Sequence, residues 1–383
     1  MERRKRPTLL TSDIDGAERV AGMLQHMVDI GVATEESYQI VFQALSDRGR
    51  MRWRRNDSKT IICAADEVGT LFDELWEKQD GQVSEETCNL VLKAYAVCST
   101  PRGNRTYAQK AQALLESMEE SGMTVSVDSL SHVVHAWSWQ QENLESGKCA
   151  KMAQQNFDRL VELSKNNEIV LQTSHWLLEA WSKSSSEGSA EMAEKLLQKM
   201  IELKKSEPQS TFPNAQSFSN AILAWAKNNG ETSAEKAHDM LLQMIESYRN
   251  GDLAADSEPE LIAFNGVISS WARIGRADKA EEVLWMADEL GSTCKSLVPD
   301  VVSFNTVLHA YIKTKGKAKA LDQVLHILKH MEDSSAENPA IKPDSFTYST
   351  VLKVRNVTCS VFHDENVNID LTSLFLEFAG LVS

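Results

Sequence analysis

Several features that would point to a reaction or a compartment are missing from this 383-residue sequence. Its six cysteines, Cys63, Cys88, Cys98, Cys149, Cys294 and Cys359, are scattered, with no Cys-x-x-Cys pair. Zinc spacings are therefore excluded, and reduced, mostly buried thiols are expected. No apolar run reaches the roughly 18 residues of a membrane span, so no membrane insertion is expected. There is no glycine-rich phosphate loop, no nucleophile elbow, no metal constellation and no carboxylate cluster in helical register with a base. No catalytic residue, cofactor or metal site is expected from such a sequence. Positive charge is in deficit: 40 Lys and Arg face 55 Asp and Glu, a formal net charge of −15. That balance excludes indiscriminate nucleic-acid binding, so any such role must rest on a local basic face. The segment Met1–Pro7 is basic but shorter than a transit peptide, and Asp13 and Asp15 follow at once. Either there is no presequence, or the chain extends upstream of Met1.

What is present is periodicity. After Pro299-Asp300, a helix-start signal, Phe304, Val307, Leu308 and Tyr311 fall at i, i+3, i+4 and i+7. A polar break from Lys313 to Lys319 follows, then a second helix with Leu321, Val324, Leu325, Leu328 and Met331 on one face. The segment closes on Lys342-Pro343-Asp344, and the opening pattern begins again. A helix pair of this kind cannot bury its apolar face alone, so each is one unit of a stack. The register is given by a pair at the end of each first helix. It reads Ala44-Leu45, Ala94-Tyr95, Ala136-Trp137, Ala180-Trp181, Ala224-Trp225, Ser270-Trp271 and Ala310-Tyr311, spaced 50, 42, 44, 44, 46 and 40 residues. Second helices carry Ala-x-x-Ala, as in Ala108/Ala111, Ala150/Ala153, Ala190/Ala193, Ala234/Ala237 and Ala277/Ala280. Polar loops of uneven length absorb the variable spacing at little entropic cost.

The expected fold is all-α: an α-solenoid, a right-handed superhelix, of stacked antiparallel helix pairs. Residues 1–34 read as the second helix of an incomplete unit. Seven units follow over 35–344, at 35–84, 85–126, 127–170, 171–214, 215–260, 261–300 and 301–344. Residues 345–383 read as a partial repeat and a divergent tail, because Lys353-Val354-Arg355 stands where the small-aromatic pair is due.

The openings Val302-Ser303-Phe304-Asn305-Thr306-Val307-Leu308, Ile262-Ala263-Phe264-Asn265-Gly266-Val267-Ile268 and Ser345 to Leu352, with the Pro-Asp closures, resemble pentatricopeptide repeats. The resemblance covers about residues 13–352, most clearly from Ala215 onward. These units are longer than the family's repeat of about 35 residues. The resemblance implies a modular single-stranded RNA binder that reads one base per repeat. It also implies a role in stabilisation, processing or translation of transcripts in a mitochondrion or plastid. In the family, the fifth residue of the first helix and the last residue of the repeat contact the base edge. Carried over, the pairs are Asn89 with Ser126, Ser131 with Val170, His175 with Asn214, Ser219 with Glu260, Asn265 with Asp300 and Asn305 with Asp344. Ser349 takes the fifth position in the partial repeat. Asn with Asp implies uracil, so the last two pairs imply a U-U step. Ser131 with Val170 and Ser219 with Glu260 depart from the family's usual pairs.

Lys183, Lys227, Arg273 and Lys313 recur eight residues after the fifth position, a spacing that suits phosphates. The competing account is that cations end many helices because the macrodipole favours them. For Asn265 and Asn305 it is local backbone bonding near a helix start. First helices at 215–227, 261–273 and 301–313 hold no acid, whereas Glu35, Glu36 and Asp47, then Glu85 and Glu86, mark the early ones. The acidic early units favour a rival reading, a helical-repeat scaffold for protein partners. Arg48, Arg50, Arg52, Arg54 and Arg55 around Trp53 read as a solvated loop insertion in preference to a nucleic-acid-binding arm with Trp53 stacking on a base. His326 and His330 have a zinc-compatible spacing but no third ligand in the sequence.

Overall fold

A computed structural model describes residues 12–53, 58–99, 106–139, 147–253, 257–313 and 319–362. Among them the chain forms sixteen α-helices, two short 3-10 turns and no strand. No described helix is long and apolar enough to cross a membrane. Contacts divide the chain into an N-terminal unit, residues 1–189 with 202–208, and a C-terminal unit, residues 190–201 with 209–383.

The N-terminal unit holds α1 (Ser12–Asp29), α2 (Glu35–Trp53), α3 (Ser58–Lys78), α4 (Glu85–Cys98), α5 (Tyr107–Glu120), α6 (Val127–Trp139), α7 (Lys148–Leu163) and α8 (Asn167–Lys183). Each second helix packs on its own first helix and on the next one, as α3 does on α2 and α4. First helices also pack in a row, α2 on α4, α4 on α6 and α6 on α8. Second helices reach one another through long side chains instead, such as Asn156 of α7 to Gln112 of α5 at 3.0 Å and Lys110 of α5 to Asp66 of α3 at 3.4 Å.

Most of α9 (Ser189–Lys204) belongs to the C-terminal unit. With it are α10 (Ala215–Ala226), α11 (Glu231–Arg249), α12 (Leu261–Arg273), α13 (Ala277–Gly291), α14 (Val301–Lys313), α15 (Lys319–Ser334) and α16 (Ser345–Phe362). The same plan recurs: α10, α12, α14 and α16 form the row of first helices. Gly266 shows how close that row is, because a Cβ there would meet the Leu223 side chain at 2.8 Å.

The repeated residues explain the packing. Ala111, Ala153, Ala193, Ala237 and Ala280 are fully buried, so each second helix approaches its neighbours over a side chain of one carbon. The bulky partners of the small-aromatic pairs are buried too, from Leu45 to Tyr311. A buried indole or phenol needs an acceptor, and the preceding second helix supplies it. Trp137 donates to Gln112 (3.4 Å), Trp181 to Gln154 (3.0 Å), Trp271 to His238 Nδ1 (3.2 Å) and Tyr311 to Glu281. Each acceptor lies four residues after the first alanine of its Ala-x-x-Ala. At Glu194, the same register, the carboxylate instead takes the Lys236 ammonium at 2.9 Å, and the Trp225 indole N–H has no partner. Gly69 holds this register on α3 and leaves space for the Tyr95 hydroxyl, 2.8 Å from where a Cβ would stand.

Three expectations change. The first helix expected to open at 171 begins at Asn167, because the Asn166 side chain accepts the Glu168 N–H at 3.0 Å and starts the helix earlier. Val170 is thus an interior, buried helical residue rather than a unit boundary. The arginine-rich stretch expected as a loop is helical through Trp53, as suits a run of Arg and Met with good helix propensity; Arg54 and Arg55 lie outside the described residues. Finally, α16 continues past Leu352 to Phe362, with Val354 buried, although the small-aromatic pair is missing. Residues 363–383 lie outside the described residues. Cys88, Cys98, Cys149 and Cys294 are buried and outside any disulfide, and burial first, then nearby carboxylates, pushes Cys88 and Cys98 up to about 12.

Candidate nucleic-acid interface

The fifth-position side chains are built into the starts of the following helices. Before α16, Asp344 accepts the Thr347 N–H at 2.8 Å, and Thr347 Oγ1 accepts the Asp344 N–H at 3.1 Å. Asn305, one repeat earlier on α14, donates its Nδ2 to Asp344 at 3.2 Å. Its Oδ1 receives the Thr347 hydroxyl at 2.8 Å. A carboxylate only accepts, so this arrangement fixes which end of the amide faces Asp344. Desolvation works against the Asp344 charge, but the backbone N–H groups of Thr347 and Phe346 and the Asn305 amide hold its pKa below the ordinary value. Asn305 is only 8% exposed, so little beyond the outer edge of its amide reaches solvent.

The arrangement repeats with variations. Between α12 and α14, Asp300 caps through the Ser303 N–H (2.9 Å), and the Ser303 hydroxyl donates to Asn265 Oδ1 at 2.7 Å. Asn265 and Asp300 are thus joined through Ser303. Between α4 and α6, Asn89 donates to Ser126 at 3.4 Å and accepts from Ser129 at 2.6 Å. Between α2 and α4 the amide is Gln39, which donates to Thr87 Oγ1 at 2.9 Å. Here Glu35 also takes the Ser84 N–H at 2.9 Å and the Ser84 and Thr87 hydroxyls. Burial opposes the charge of Glu35, yet these donors hold its carboxyl below the usual range.

Other positions are arranged differently. Ser131 is buried, with its hydroxyl 3.1 Å from Thr173 Oγ1. Ser219 is fully buried and donates to the Ala215 carbonyl at 2.9 Å. Asn214 caps α10 through the Ser217 N–H at 2.9 Å. Glu260 is the residue before α12 and makes no side-chain cap bond. His175 is half-buried, and burial pushes its pKa down to about 4, so it is neutral at pH 7. Ser349 donates to the Phe346 carbonyl at 2.9 Å. The sequence reading missed Gln39 and the hydroxyls of Thr87, Ser129, Ser303 and Thr347. The signal was there: Ser37, Thr87, Ser129, Thr173, Ser217, Ser303 and Thr347 all stand third in their repeats, with Ala263 the exception.

Arg273 and Lys183, of the four recurring cations, close helix ends or pair with a carboxylate. Arg273 donates to the Lys227 carbonyl at 2.9 Å, to Asn229 at 3.1 Å and to the Ala226 carbonyl, closing the end of α10. Lys183 donates to the Ser138 carbonyl at 3.2 Å, pairs with Glu179 at 2.7 Å and lies 4.5 Å from the centre of the Trp139 ring. Lys227, Arg273 and Lys313 are exposed.

In the C-terminal unit these features meet in one groove of about 490 Å³. Asn305, Arg273, Lys313, Val302, Phe346 and His309 are among its lining. Val302 and Phe346 stand second in their repeats and are 61% and 48% exposed; Ile262, second in its repeat, is 49% exposed. Exposed apolar side chains one repeat apart, beside oriented amides and cations, can stack on flat rings while the amides meet their edges. In the N-terminal unit the second positions are Glu36, Glu86, Asp128 and Gln172, all exposed, and the first repeat of the C-terminal unit has the half-buried Gln216 there. Among the described residues no group of three or more His, Cys, Asp or Glu side chains could hold a metal ion. His330 sits 3.3 Å from Asp288 and packs against the rings of Trp285 and Phe304.

Fold and groove together define a class: a helical-repeat protein with one oriented polar side chain at each of several repeat junctions. Two solved structures match over 95% of this chain and 52% of theirs, at 19% identity and a TM-score of 0.34. They are the pentatricopeptide repeat protein PPR10 in complex with an 18-nt psaJ RNA element, and a triple cysteine-to-serine variant of it with the same element. This chain spans about half the length of those proteins. No protein-family model and no curated protein matches the sequence.

Proposed function

We propose that the chain binds single-stranded RNA through the first-helix face of its repeats, one base per repeat, without catalysis. The observation that carries this reading is Asn305, held at both ends of its amide by Asp344 and Thr347 at the wall of the groove. Its second N–H and second Oδ1 lone pair offer one donor and one acceptor. Uracil presents the complementary pair, an N3–H beside a carbonyl. Asn265 has a similar tie through Ser303, so two consecutive repeats favour a U-U step. Lys313 and Arg273 line the same groove, and in this reading they meet phosphates, which position the strand without reading it. Action on organelle transcripts, in a mitochondrion or plastid, rests on the resemblance to pentatricopeptide repeats.

The test is selection from a random RNA library with the parent chain and with Asn265→Thr/Asn305→Thr. The parent should enrich two adjacent uridines and the variant should not; the same enrichment in both would remove the assignment. A second reading, a scaffold for protein partners, is favoured by the exposed acids Glu36, Glu86 and Asp128. Filter binding across a salt series separates the two, because phosphate contacts make affinity fall as salt rises.

A further inference from the structure

We propose that RNA is held by the C-terminal unit alone, over about three nucleotides at Asn265, Asn305 and Ser349, one per repeat. The proposal rests on the RNA-binding reading above and sets its footprint. The first helices α10, α12, α14 and α16 contain no Asp or Glu. Those of the N-terminal unit carry Glu35, Glu36 and Asp47 on α2, Glu85 and Glu86 on α4, Asp128 on α6, and Glu168 and Glu179 on α8. A strand laid along α2, α4 and α6 would set its bases, with the phosphates close behind them, against the exposed Glu36, Glu86 and Asp128, at the register where the C-terminal unit offers Ile262, Val302 and Phe346. Like charges so placed oppose binding. The cation register agrees. On α2 it is the exposed Asp47, on α4 it is Val97, and on α6 it is Trp139, whereas α12 and α14 end in the exposed Arg273 and Lys313. Lys183 of α8 is already engaged by Glu179 and by the Ser138 carbonyl. The readers divide in the same way. Gln39 and Asn89 are amides with the acids Glu36 and Glu86 at the second position, Ser131 and Ser219 are buried serines, and the run of amides beside exposed apolar neighbours begins at Asn265.

A series of oligouridylates of three to twelve nucleotides, competing against a labelled twelve-mer on the full chain, tests the footprint. Affinity should rise up to about four nucleotides and then grow only with the number of equivalent registers. Arg273 and Lys313 meeting phosphates give a slope of log K against log salt of about −1.4, whereas all four cations of the register, with Lys183 and Lys227, would give about −2.8. A second measurement uses Glu36→Gln/Glu86→Gln/Asp128→Asn. Its affinity for the twelve-mer should stay within about twofold of the parent, because these three side chains belong to the unit that the footprint leaves out. A steady climb in affinity to nine or more nucleotides, or a gain above about tenfold in the triple variant, would overturn the footprint while leaving RNA binding intact. No competition at any length and no binding of the twelve-mer would sink the RNA reading itself.

Discussion

The N-terminal and C-terminal units are built by the same rules and present different surfaces. In both, first helices pack in a row, second helices bridge them, and a third-position hydroxyl ties a fifth-position amide to the next helix start. They part at the second position, which is Glu36, Glu86 and Asp128 in the first three repeats of one and Ile262, Val302 and Phe346 in the last three of the other; Gln172 and Gln216 lie between. That position is solvent-facing in both units, so folding does not choose between acid and hydrocarbon there. Scaffold and interface are therefore separable: the core repeats, and the exposed register carries the difference.

The largest effects should come from the core. Phe42→Ala and Phe264→Ala each remove a fully buried ring, at a cost of about 3–5 kcal/mol. In a repeat array each unit leans mainly on its neighbours. Phe264→Ala should thus abolish oligouridylate binding, while Phe42→Ala leaves it largely intact, read by denaturant titration alongside filter binding. Equal loss of binding in both would erase the division between the units.

Acid should act next, and more on the N-terminal unit. Burial pushes His132 and His175 down to about 4, from an unfolded value of about 6.5. Each therefore contributes stability that is whole above about pH 6.5 and is lost as pH falls toward 4. The sum per imidazole is on the order of 2–3 kcal/mol. In the C-terminal unit, burial lowers His238, whose Nδ1 accepts the Trp271 indole N–H. Denaturant midpoints at pH 7 and pH 4.5 should differ less for His132→Gln/His175→Gln than for the parent; an undiminished difference would dismiss these two groups.

The cations should separate by duty. Arg273→Ala strips partners from the end of α10 and should cost about 1–2 kcal/mol as well as affinity. Lys313→Ala should weaken binding with stability unchanged within about 0.5 kcal/mol. Lys183→Ala should alter stability alone. Lost affinity on replacing Lys183 would extend the interface into the N-terminal unit.

The smallest contrast concerns two indoles. Trp181→Phe removes a bond to Gln154 and should cost about 1 kcal/mol, whereas Trp225→Phe removes an N–H that has no acceptor and should be close to neutral. Thermal or urea unfolding of the two variants reads the difference directly.

Much of the fold was legible because burial imposes it. Small-aromatic pairs and Ala-x-x-Ala mark where helices touch, and no loop insertion can move them out of register. The boundaries were less legible. Asn166 captures the Glu168 N–H and starts α8 early, a choice between nearby polar side chains that periodicity does not resolve. The candidate site was half legible. Asn265 and Asn305 stood out by recurrence, but serine in the same position can turn inward, as Ser219 does toward the Ala215 carbonyl. A short hydroxyl side chain bonds its own backbone as readily as a neighbour, so residue type alone does not say which way it faces. Gln39 was missed because one added methylene hides its equivalence to asparagine.

The hydroxyl tie at each junction has a consequence for redesign. Asn305 answers to Asp344, the last residue of its own repeat, and to Thr347 of the repeat that follows. Its orientation is thus an inheritance from a neighbour, and repeats cannot be shuffled like independent letters. Swapping one fifth-position residue alone would leave a cap and a hydroxyl arranged for the amide that has gone. A working exchange would have to move three side chains across a repeat boundary as a single cassette.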